Sequence, residues 1–433
     1  MERGEETQVK IRFRRKSTPE WLVLFIVIMP IAFSFLMEVL GLPSSIKYIL
    51  DVAWLFLLFY MAVNRKKKLP ANARSLAAIV ICFFAISLVG VLCNYQSIYY
   101  YLWGLRNNAR FFIFFFACIL FLDHRSIDSS LRCFDVLFWV NFPITLFQFF
   151  VLGKKQDYLG GIFGTTVGCN SYMNIFLIIV ITKSILLFLY HRESLFQCIL
   201  KCGLALIIAV LSELKIFFVE LLIVIFMAMI LSKFSFRKIG IVLLCFVGIV
   251  TAAQMVAVLF PDFTGWFSID GIREIIGAEE GYTMREDINR LTAGAYVMNR
   301  FLPTWYHKLF GLGLGNCDYA AFDFLTTPFY TRYGWTHYTW FSLSFLLVET
   351  GIVGLALYIF FFAKLFFAIR KIEIQGTADK LYCQLAEILS VISFVLIIYN
   401  GSLRTEAAYL WFFVLSMPFV QKYETTKIGR SNS

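Results

Sequence analysis

The sequence lacks the cysteine spacing that would indicate a zinc site or a framework of disulfides. Histidine is scarce, with 4 residues in the chain, and no internal repeat is evident. Cysteine buried in an apolar environment behaves as a small hydrophobic residue. Most of the 10 cysteines lie inside apolar runs, among them Cys82, Cys118, Cys202 and Cys245. Composition therefore excludes a disulfide-rich secreted domain and a structural zinc protein.

A long charged segment precedes the first apolar run. We therefore expect Trp21–Leu40 to be an uncleaved first span and not a removable signal peptide. The net charge of +11 would suit a protein that binds nucleic acid, but the positions of the basic residues argue against that function. Lys10–Lys16 and Asn64–Pro70 flank apolar runs, as cytoplasmic membrane anchors do.

Apolar residues are what the sequence has in abundance. They make up 60% of the chain, mean hydropathy is +0.76, and Phe alone contributes 49 residues. Soluble domains contain about 45–50% apolar residues. Long apolar runs near the ~20 residues that cross a bilayer recur along the chain. The sequence therefore predicts an all-α integral membrane protein.

Apolar runs and the loops between them predict about twelve transmembrane spans with both termini in the cytoplasm. Spans 1–9 with short loops occupy 1–259, a large extracytoplasmic loop occupies 260–337, spans 10–12 occupy 338–421, and a cytoplasmic tail occupies 422–433. The predicted spans are 21–40, 48–63, 75–93, 109–122, 134–152, 172–190, 196–212, 216–232, 239–259, 338–369, 381–399 and 406–421.

The large loop joins the ninth and tenth predicted spans and is unusually long for a connection. Its aromatic residues and the turn "GLGLGN" (Gly311–Asn316) argue against disorder, so we expect a small folded cap. Within the loop, Asp287–Phe310 has mixed apolar and basic faces. That pattern is typical of a helix lying on the membrane interface.

Ionisable residues near or inside apolar runs are candidate functional residues, since each costs about 2.5–3.5 kcal/mol at the bilayer centre. Lys215 lies in a very short external turn and therefore near the headgroup level. It either faces water, paired with Glu213 or Glu220, or presents a cation to a phosphate group.

Three arginines also have two possible roles each, one structural and one in binding a phosphate group. Arg106 and Arg110 are four residues apart and share one face of a helix. They either snorkel toward the outer surface or bind a diphosphate headgroup. Arg404, in the turn before the last predicted span, either pairs with Glu406 or adds a further cation.

The large loop and the span after it supply three more candidates. Arg290 opens the apolar and basic segment of the loop. His337 is either a structural ring at the interface or a base, because imidazole titrates near neutrality and accepts a hydroxyl proton. Glu349 lies about 18 Å further along a helix. We expect it to pair with a cation on a neighbouring span or to cap a break before Gly351.

Two segments resemble the signature of the O-antigen ligase and polymerase superfamily. "KLFGLGLGN" (Lys308–Asn316) is followed further along by "THYTWFSLSFLLVETGIVGLALYIF" (Thr336–Phe360). In that family a glycine-rich turn of the outer loop precedes a run that begins with histidine and contains a glutamate and two glycines. The resemblance rests on Gly311, Gly313, Gly315, His337, Glu349, Gly351, Gly354 and Leu355.

Three further segments fit the same pattern. "INRLTAGAYVM" maps Arg290 onto the family's loop arginine, Gly160–Phe176 resembles its segment at the sixth span, and Lys215 stands where an arginine is usual. The chain departs from the pattern at three points. Tyr338 replaces a Ser or Asn after His337, and the spacing from His337 to Glu349 is a residue or two longer than the pattern has. Lys215 keeps the charge of arginine without its bidentate fork.

The resemblance implies a membrane glycosyltransferase of the bacterial plasma (inner) membrane that needs no metal and no cofactor. It would transfer glycan from undecaprenyl diphosphate to a sugar hydroxyl of another lipid-linked repeat unit, on the outer face. We expect membrane lipid, a chain-length regulator and a flippase as further partners, and no nucleic acid. The residues predicted to be catalytic are His337 and Arg290, and those predicted to bind substrate are Lys215, Arg404, Arg110, Arg106 and Glu349.

Two alternatives stay open beside the polymerase. An O-antigen ligase would share the fold and chemistry but would transfer polymer to lipid A core. A flippase or transporter would also suit twelve spans, yet such folds usually have two related halves, and no such pairing is evident. A divergent first half favours an enzyme tuned to its own repeat unit, which is the polymerase.

Overall fold

The computed structural model describes residues 16–431 apart from 65–67, 232–239, 241–246, 249, 252–253, 256–257, 259–286, 321 and 375, with the backbone alone at 421–431. Within these residues the chain is about 80% helical and contains no strand. Eight of the described helices are long and apolar enough to cross a membrane. The prediction of an all-α membrane protein is thus confirmed, and the count of twelve spans stays a prediction. The ninth predicted span and the loop over 260–286 fall largely or wholly outside the described residues.

Eight long helices make up the first half, and the longest connection among them, 151–168, contains two 3-10 turns. They are α1 (Thr18–Ser34), α2 (Ile49–Val63), α3 (Ala71–Cys93), α4 (Ile98–Phe121), α5 (His124–Phe150), α6 (Cys169–Leu189), α7 (Leu195–Leu211) and α8 (Lys215–Leu231). Three short helices and then three long ones follow in the second half. They are α9 (Ala293–Tyr296), α10 (Trp305–Phe310), α11 (Pro328–Tyr333), α12 (Ser342–Ile369), α13 (Thr377–Tyr399) and α14 (Ala408–Ser431).

Polar caps set several helix starts. The side chain of Ser97 accepts a hydrogen bond from the backbone of Tyr99 at the start of α4. Asp123 caps α5 in the same way, by accepting from Ser126. A capping side chain satisfies a backbone N–H that has no partner inside the helix. The helix boundaries therefore follow local sequence at these points.

The core is aromatic and lies where α4 packs against α14 and where α12 packs against α3 and α13. Among the candidate spans, α4, α6 and α13 have the largest buried share. The ring of Phe412 meets Phe111, Phe112 and Phe361 edge-on or stacked. Offset and edge-to-face ring pairs add about 0.5–1.5 kcal/mol each beyond burial. This aromatic packing fixes α4 beside α14 and the end of α12.

Several helix limits differ from the prediction. The fourth span is a helix from Ile98, and not from 109, because the charges of Arg106 and Arg110 are paired inside the bundle and do not end the helix. The fifth helix likewise begins at His124 and not at 134. The helix predicted from 338 begins at Ser342, after a short 3-10 turn. The backbone of α14 stays helical as far as Ser431, which lies within the predicted tail.

The prediction of one interfacial helix over Asp287–Phe310 is wrong. The segment forms α9, a π turn over Val297–Phe301, and then α10. Pro303 lies in the break between the π turn and α10. Proline disfavours helical backbone in the residue before it, so the chain bends there.

Candidate functional site

Residues 287–336 pack against one end of the bundle, called the loop face below. The starts of α4, α8, α12 and α14 and the ends of α3 and α13 form this end. Ile288 N donates to Thr336 O at 3.1 Å, which ties the two limits of the segment together. The side chain of Asn94, after α3, donates to Gly311 O at 3.1 Å. The segment is therefore fastened to the helices on which it lies.

The glycine-rich turn docks into a break in α12. The backbone leaves the helical conformation at Gly351, with φ 65° and ψ −170°. The freed carbonyls of Val348 and Glu349 accept from Leu312 N at 2.8 Å and Gly313 N at 3.0 Å. A Cβ at Gly311 would lie 2.4 Å from the Glu349 carbonyl, so only glycine allows this approach. The two motifs that carry the family resemblance are thus in direct contact.

Glu349 lies beneath the turn and is fully buried. One carboxylate oxygen accepts from Cys317 N at 3.3 Å, and the carboxylate also interacts electrostatically with Arg404 and Asp318. Glu349 lies two residues before the break at Gly351, and the Arg404 cation acts on its carboxylate electrostatically. Because the carboxylate of Glu349 is buried, it holds the backbone next to the glycine-rich turn and does not face solvent.

Arg404 holds the chain just after His337. Its Nη2 donates to Thr339 O at 2.5 Å, and its guanidinium carbon lies 3.7 Å from the centre of the Phe345 ring. Burial lowers the pKa of Arg404, while Asp318 and Glu349 act in the opposite direction. Glu406, the alternative partner considered from sequence, pairs with a different arginine. The charge of Arg404 is therefore directed inward.

His337 is held by two neighbours. Its Nδ1 lies 2.5 Å from Asp287 Oδ1, and its ring stacks on Trp340 with centroids 3.9 Å apart. A carboxylate at Nδ1 favours the tautomer that carries the proton there and leaves Nε2 able to accept one. The backbone of His337 is left-handed, with φ 55°, which is uncommon for a residue with a side chain. About one third (34%) of the side chain is exposed, so the ring is reachable from outside.

Arg290 lies against two aromatic rings of the loop face. Its guanidinium carbon is 4.2 Å from the centre of the Tyr399 ring and 5.5 Å from that of Phe341. Arginine stacks on aromatic rings through its planar guanidinium. Phe341 is four residues after His337, so Arg290 and the imidazole adjoin the same short segment. The two rings therefore orient the guanidinium of Arg290.

Lys215 begins α8 and pairs with Glu213 at 3.1 Å. It also interacts electrostatically with Arg290 and Asp157. Of the two acids considered from sequence, Glu220 is instead fully buried and accepts from Asn174 at 2.8 Å. The sixth-span segment therefore contacts α8 through Asn174, and Lys215 lies within electrostatic range of Arg290.

Arg106 and Arg110 are engaged elsewhere. Arg106 forms a two-point ion pair with Asp51, and Arg110 lies 3.3 Å from Glu406. Burial alone would raise the pKa of Glu406, but Arg110 and Lys47 lower it to about 2. The two guanidinium groups thus join α4 to the starts of α2 and α14.

The structure brings five of the seven predicted residues into one connected set. The segment His337–Phe341 is its centre, with Arg290 on Phe341, Arg404 on Thr339 and Glu349 beyond Arg404. Lys215 joins the set through Arg290. Arg106 and Arg110 lie at the same end but belong to separate ion pairs. We call His337, Asp287, Arg290 and Lys215 the basic cluster.

Two residues of the site were missed by sequence reasoning. Asp287 was named only as the first residue of the segment Asp287–Phe310, and Tyr399 was not named at all. Asp287 and His337 are 50 residues apart in the chain, and no spacing rule connects them. Tyr399 ends a helix as one aromatic residue among 21 tyrosines, so composition does not single it out.

No group of three or more potential metal ligands of the His, Cys, Asp and Glu types occurs in the part of the chain that the structure describes. Searches against protein-family models and against curated proteins found no match to the chain. The motifs and the geometry of the basic cluster are therefore the grounds for a functional conclusion.

Proposed function

We propose that the chain is a membrane glycosyltransferase that polymerises lipid-linked oligosaccharide repeat units. It would transfer glycan from undecaprenyl diphosphate to an acceptor sugar hydroxyl. The observation that carries the proposal is the basic cluster. In it Asp287 holds the imidazole of His337, Arg290 lies against Phe341 four residues further along, and Lys215 interacts electrostatically with Arg290. Cations suit a diphosphate leaving group, and a carboxylate-bound histidine suits the activation of a hydroxyl.

His337 supplies the base in this proposal. The acceptor hydroxyl gives its proton to Nε2 while its oxygen forms a bond to the anomeric carbon of the donor sugar. Asp287, at Nδ1, orients the ring and stabilises the imidazolium that forms. Proton transfer by a positioned side chain typically contributes about 10²–10⁴-fold to the rate.

Arg290 and Lys215 stabilise the leaving group. The bond between the anomeric carbon and the diphosphate oxygen breaks, and its electron pair stays on that oxygen. The departing undecaprenyl diphosphate gains one negative charge as the bond breaks. Cations fixed beforehand at this point stabilise the charge without reorganising. The rings of Tyr399 and Phe341 keep Arg290 in place for this role.

The remaining candidates take supporting roles. Arg404 and Glu349 hold the segment that carries His337 and the glycine-rich turn, and Arg106 and Arg110 join helices. In this proposal the loop face is extracytoplasmic, on a bacterial plasma membrane with both termini inside. A flippase would deliver the substrate to that face, and a chain-length regulator would act on the growing polymer.

The decisive experiment uses the purified full chain in detergent with lipid-linked repeat units extracted from a strain lacking the gene. We expect a ladder of longer lipid-linked chains from the wild-type protein and none from His337→Ala. Detergent abolishes sidedness, so growth of the ladder cannot arise from transport. Failure of the wild-type protein to extend the units, while it moves them across vesicle membranes, would favour a flippase.

A further inference from the structure

Glu220 is a buried acid that neither the family motifs nor the basic cluster explains. It lies in α8, five residues after Lys215, and its side chain is fully buried. Its Oε2 accepts a hydrogen bond from Asn174 Nδ2 of α6 at 2.8 Å. Asn174 is itself 1% exposed. A carboxyl group enclosed in this way either needs a partner for its negative charge or stays neutral.

Among the described residues Glu220 forms no ion pair. The described helices α6, α7 and α13 pack against α8. Of these, α6 and α7 carry one charged residue each, Lys183 and Lys201, and both lysines are paired with Asp135. The charges of these two helices therefore balance another acid and not Glu220.

The titratable groups nearest to Glu220 lie toward the loop face. Tyr399 ends α13, and its phenol interacts electrostatically with Glu220 and Glu213 and accepts a hydrogen bond from Arg290. The acid of α13 nearest to Tyr399 along the helix is Glu387, which lies about 18 Å back. Glu220 thus adjoins the basic cluster through a phenol and not through a salt bridge.

Two oxygen atoms of the Asn174–Glu220 pair are buried without a hydrogen-bond partner among the described residues. They are Oε1 of Glu220 and Oδ1 of Asn174. While the carboxyl group is ionised, both atoms are acceptors, and two acceptors cannot bond to each other. A proton on Glu220 turns one carboxyl oxygen into a donor, for which Asn174 Oδ1 is an acceptor within the same pair. The acid and the amide then satisfy each other with two hydrogen bonds.

A metal cation would require more oxygen atoms than the pair offers. A hard cation such as Ca²⁺ takes about 6–8 oxygen ligands. The pair has two oxygens without a partner, and both come from side chains that also hold each other. A proton needs a single acceptor, so the pair has the chemistry of a proton site and not of a cation site.

We infer that the Asn174–Glu220 pair is a proton-binding site inside the bundle, occupied at neutral pH. Ionisable residues inside a membrane bundle commonly carry protons, and here the proton keeps a fully buried carboxyl group neutral. A neutral Glu220 adds no negative charge beside Tyr399 and Arg290. The inference stands whether or not the chain is a glycosyltransferase.

Infrared spectroscopy of the purified full chain in detergent tests the inference. A protonated carboxyl group has a C=O stretching band that an ionised carboxylate lacks. Glutamine has nearly the shape of the acid and keeps both hydrogen bonds to Asn174, but it carries no carboxyl proton. We therefore expect the wild-type spectrum at neutral pH to contain one carboxylic-acid band that Glu220→Gln loses. Identical spectra in this region would mean that Glu220 is ionised, and would overturn the site.

The matched control is Glu406→Gln, the same substitution at an acid that faces Arg110 and Tyr172. It should remove no carboxylic-acid band, because a carboxylate paired with arginine is ionised. Glu220→Asp is a second variant that keeps the acid on a shorter side chain. It should shift the band and not remove it. An unshifted band in Glu220→Asp would assign the proton to a different acid.

Thermal unfolding gives an independent measurement. The folded chain keeps the proton of Glu220, and the unfolded chain releases it at neutral and alkaline pH. The folded state then binds more protons, so the thermal midpoint should fall as the pH rises. Glu220→Gln should reduce that fall, and Glu406→Gln should leave it unchanged. A midpoint that Na⁺ raises in the wild type but not in Glu220→Gln would replace the proton with a cation.

Discussion

At the residue scale, the candidate base depends on a partner that lies far away in the chain. Asp287 reaches Nδ1 of His337 across 50 residues, and Trp340 covers the ring from the other side. The left-handed backbone at His337 costs about 1–3 kcal/mol for a residue with a side chain. Such a conformation persists where surrounding contacts enforce it, here through Arg404 and Asp287.

Separate replacement of His337 and Asp287 tests whether the carboxylate supports the histidine as the base. His337→Ala should lower chain growth about 10²–10⁴-fold at unchanged protein level in the membrane, because no base remains. Asp287→Asn should lose less, since the ring remains but its tautomer is no longer favoured. The measurements are initial rates with purified protein and their pH profile. Wild-type rates for Asp287→Asn would remove the carboxylate from the proposed mechanism.

The charge of Arg290 and its shape can also be separated. Arg290→Ala should reduce chain growth more than Arg290→Lys, because lysine keeps the positive charge but loses the planar fork and the stacking on Tyr399. The measurement is the initial rate at several concentrations of lipid-linked repeat units. Arg300→Lys in the same loop is the matched control and should behave as wild type. Equal losses for the two variants at position 290 would assign it a geometric role.

At the element scale, one break in a helix organises the loop face. The freed carbonyls around Gly351 bind the glycine-rich turn, and a Cβ at Gly351 would lie 2.3 Å from Leu309 O. The sequence places glycines at both positions, and a break near Glu349 was one of the two alternatives raised for that residue. The pairing of the two motifs was not predicted, because a helix carries no signal of which distant turn will occupy its break.

Gly351→Ala should separate the turn from α12. The positive φ alone costs about 1–3 kcal/mol for alanine, and the contact with Leu309 adds to that cost. Gly203→Ala in α7 is the matched control, since no atom lies within 4 Å of its added Cβ. Thermal unfolding of the purified variants in detergent should show a lowered midpoint for Gly351→Ala and an unchanged or raised one for Gly203→Ala. Equal midpoints would mean that the turn does not need this approach.

At the scale of the whole molecule, the two ends of the bundle differ in chemistry. One end carries the basic cluster beneath residues 287–336, and the other carries Lys16, Arg125 and Arg192 at the limits of helices. Basic residues beside membrane helices are typical of cytoplasmic loops. The loop face would then lie outside, as the proposed reaction requires.

Reporter fusions test this orientation. A reporter that is active only outside the cytoplasm should be active after Gly315 and inactive after Arg192, in the turn between α6 and α7 at the opposite end. Both fusions should be compared at equal protein level. Activity after Arg192 and none after Gly315 would reverse the topology and remove the proposed site from the outer face.

The sequence by itself determined the helical membrane class, many helix starts and the residues that are chemically suited to a site. These features are local, since they depend on apolar runs, caps and side-chain type. Tertiary structure decided which charges act on each other. Arg110 pairs with Glu406 across 296 residues and His337 with Asp287 across 50. A charge withdrawn from water needs a partner in space, and distance along the chain carries no information about which partner that is.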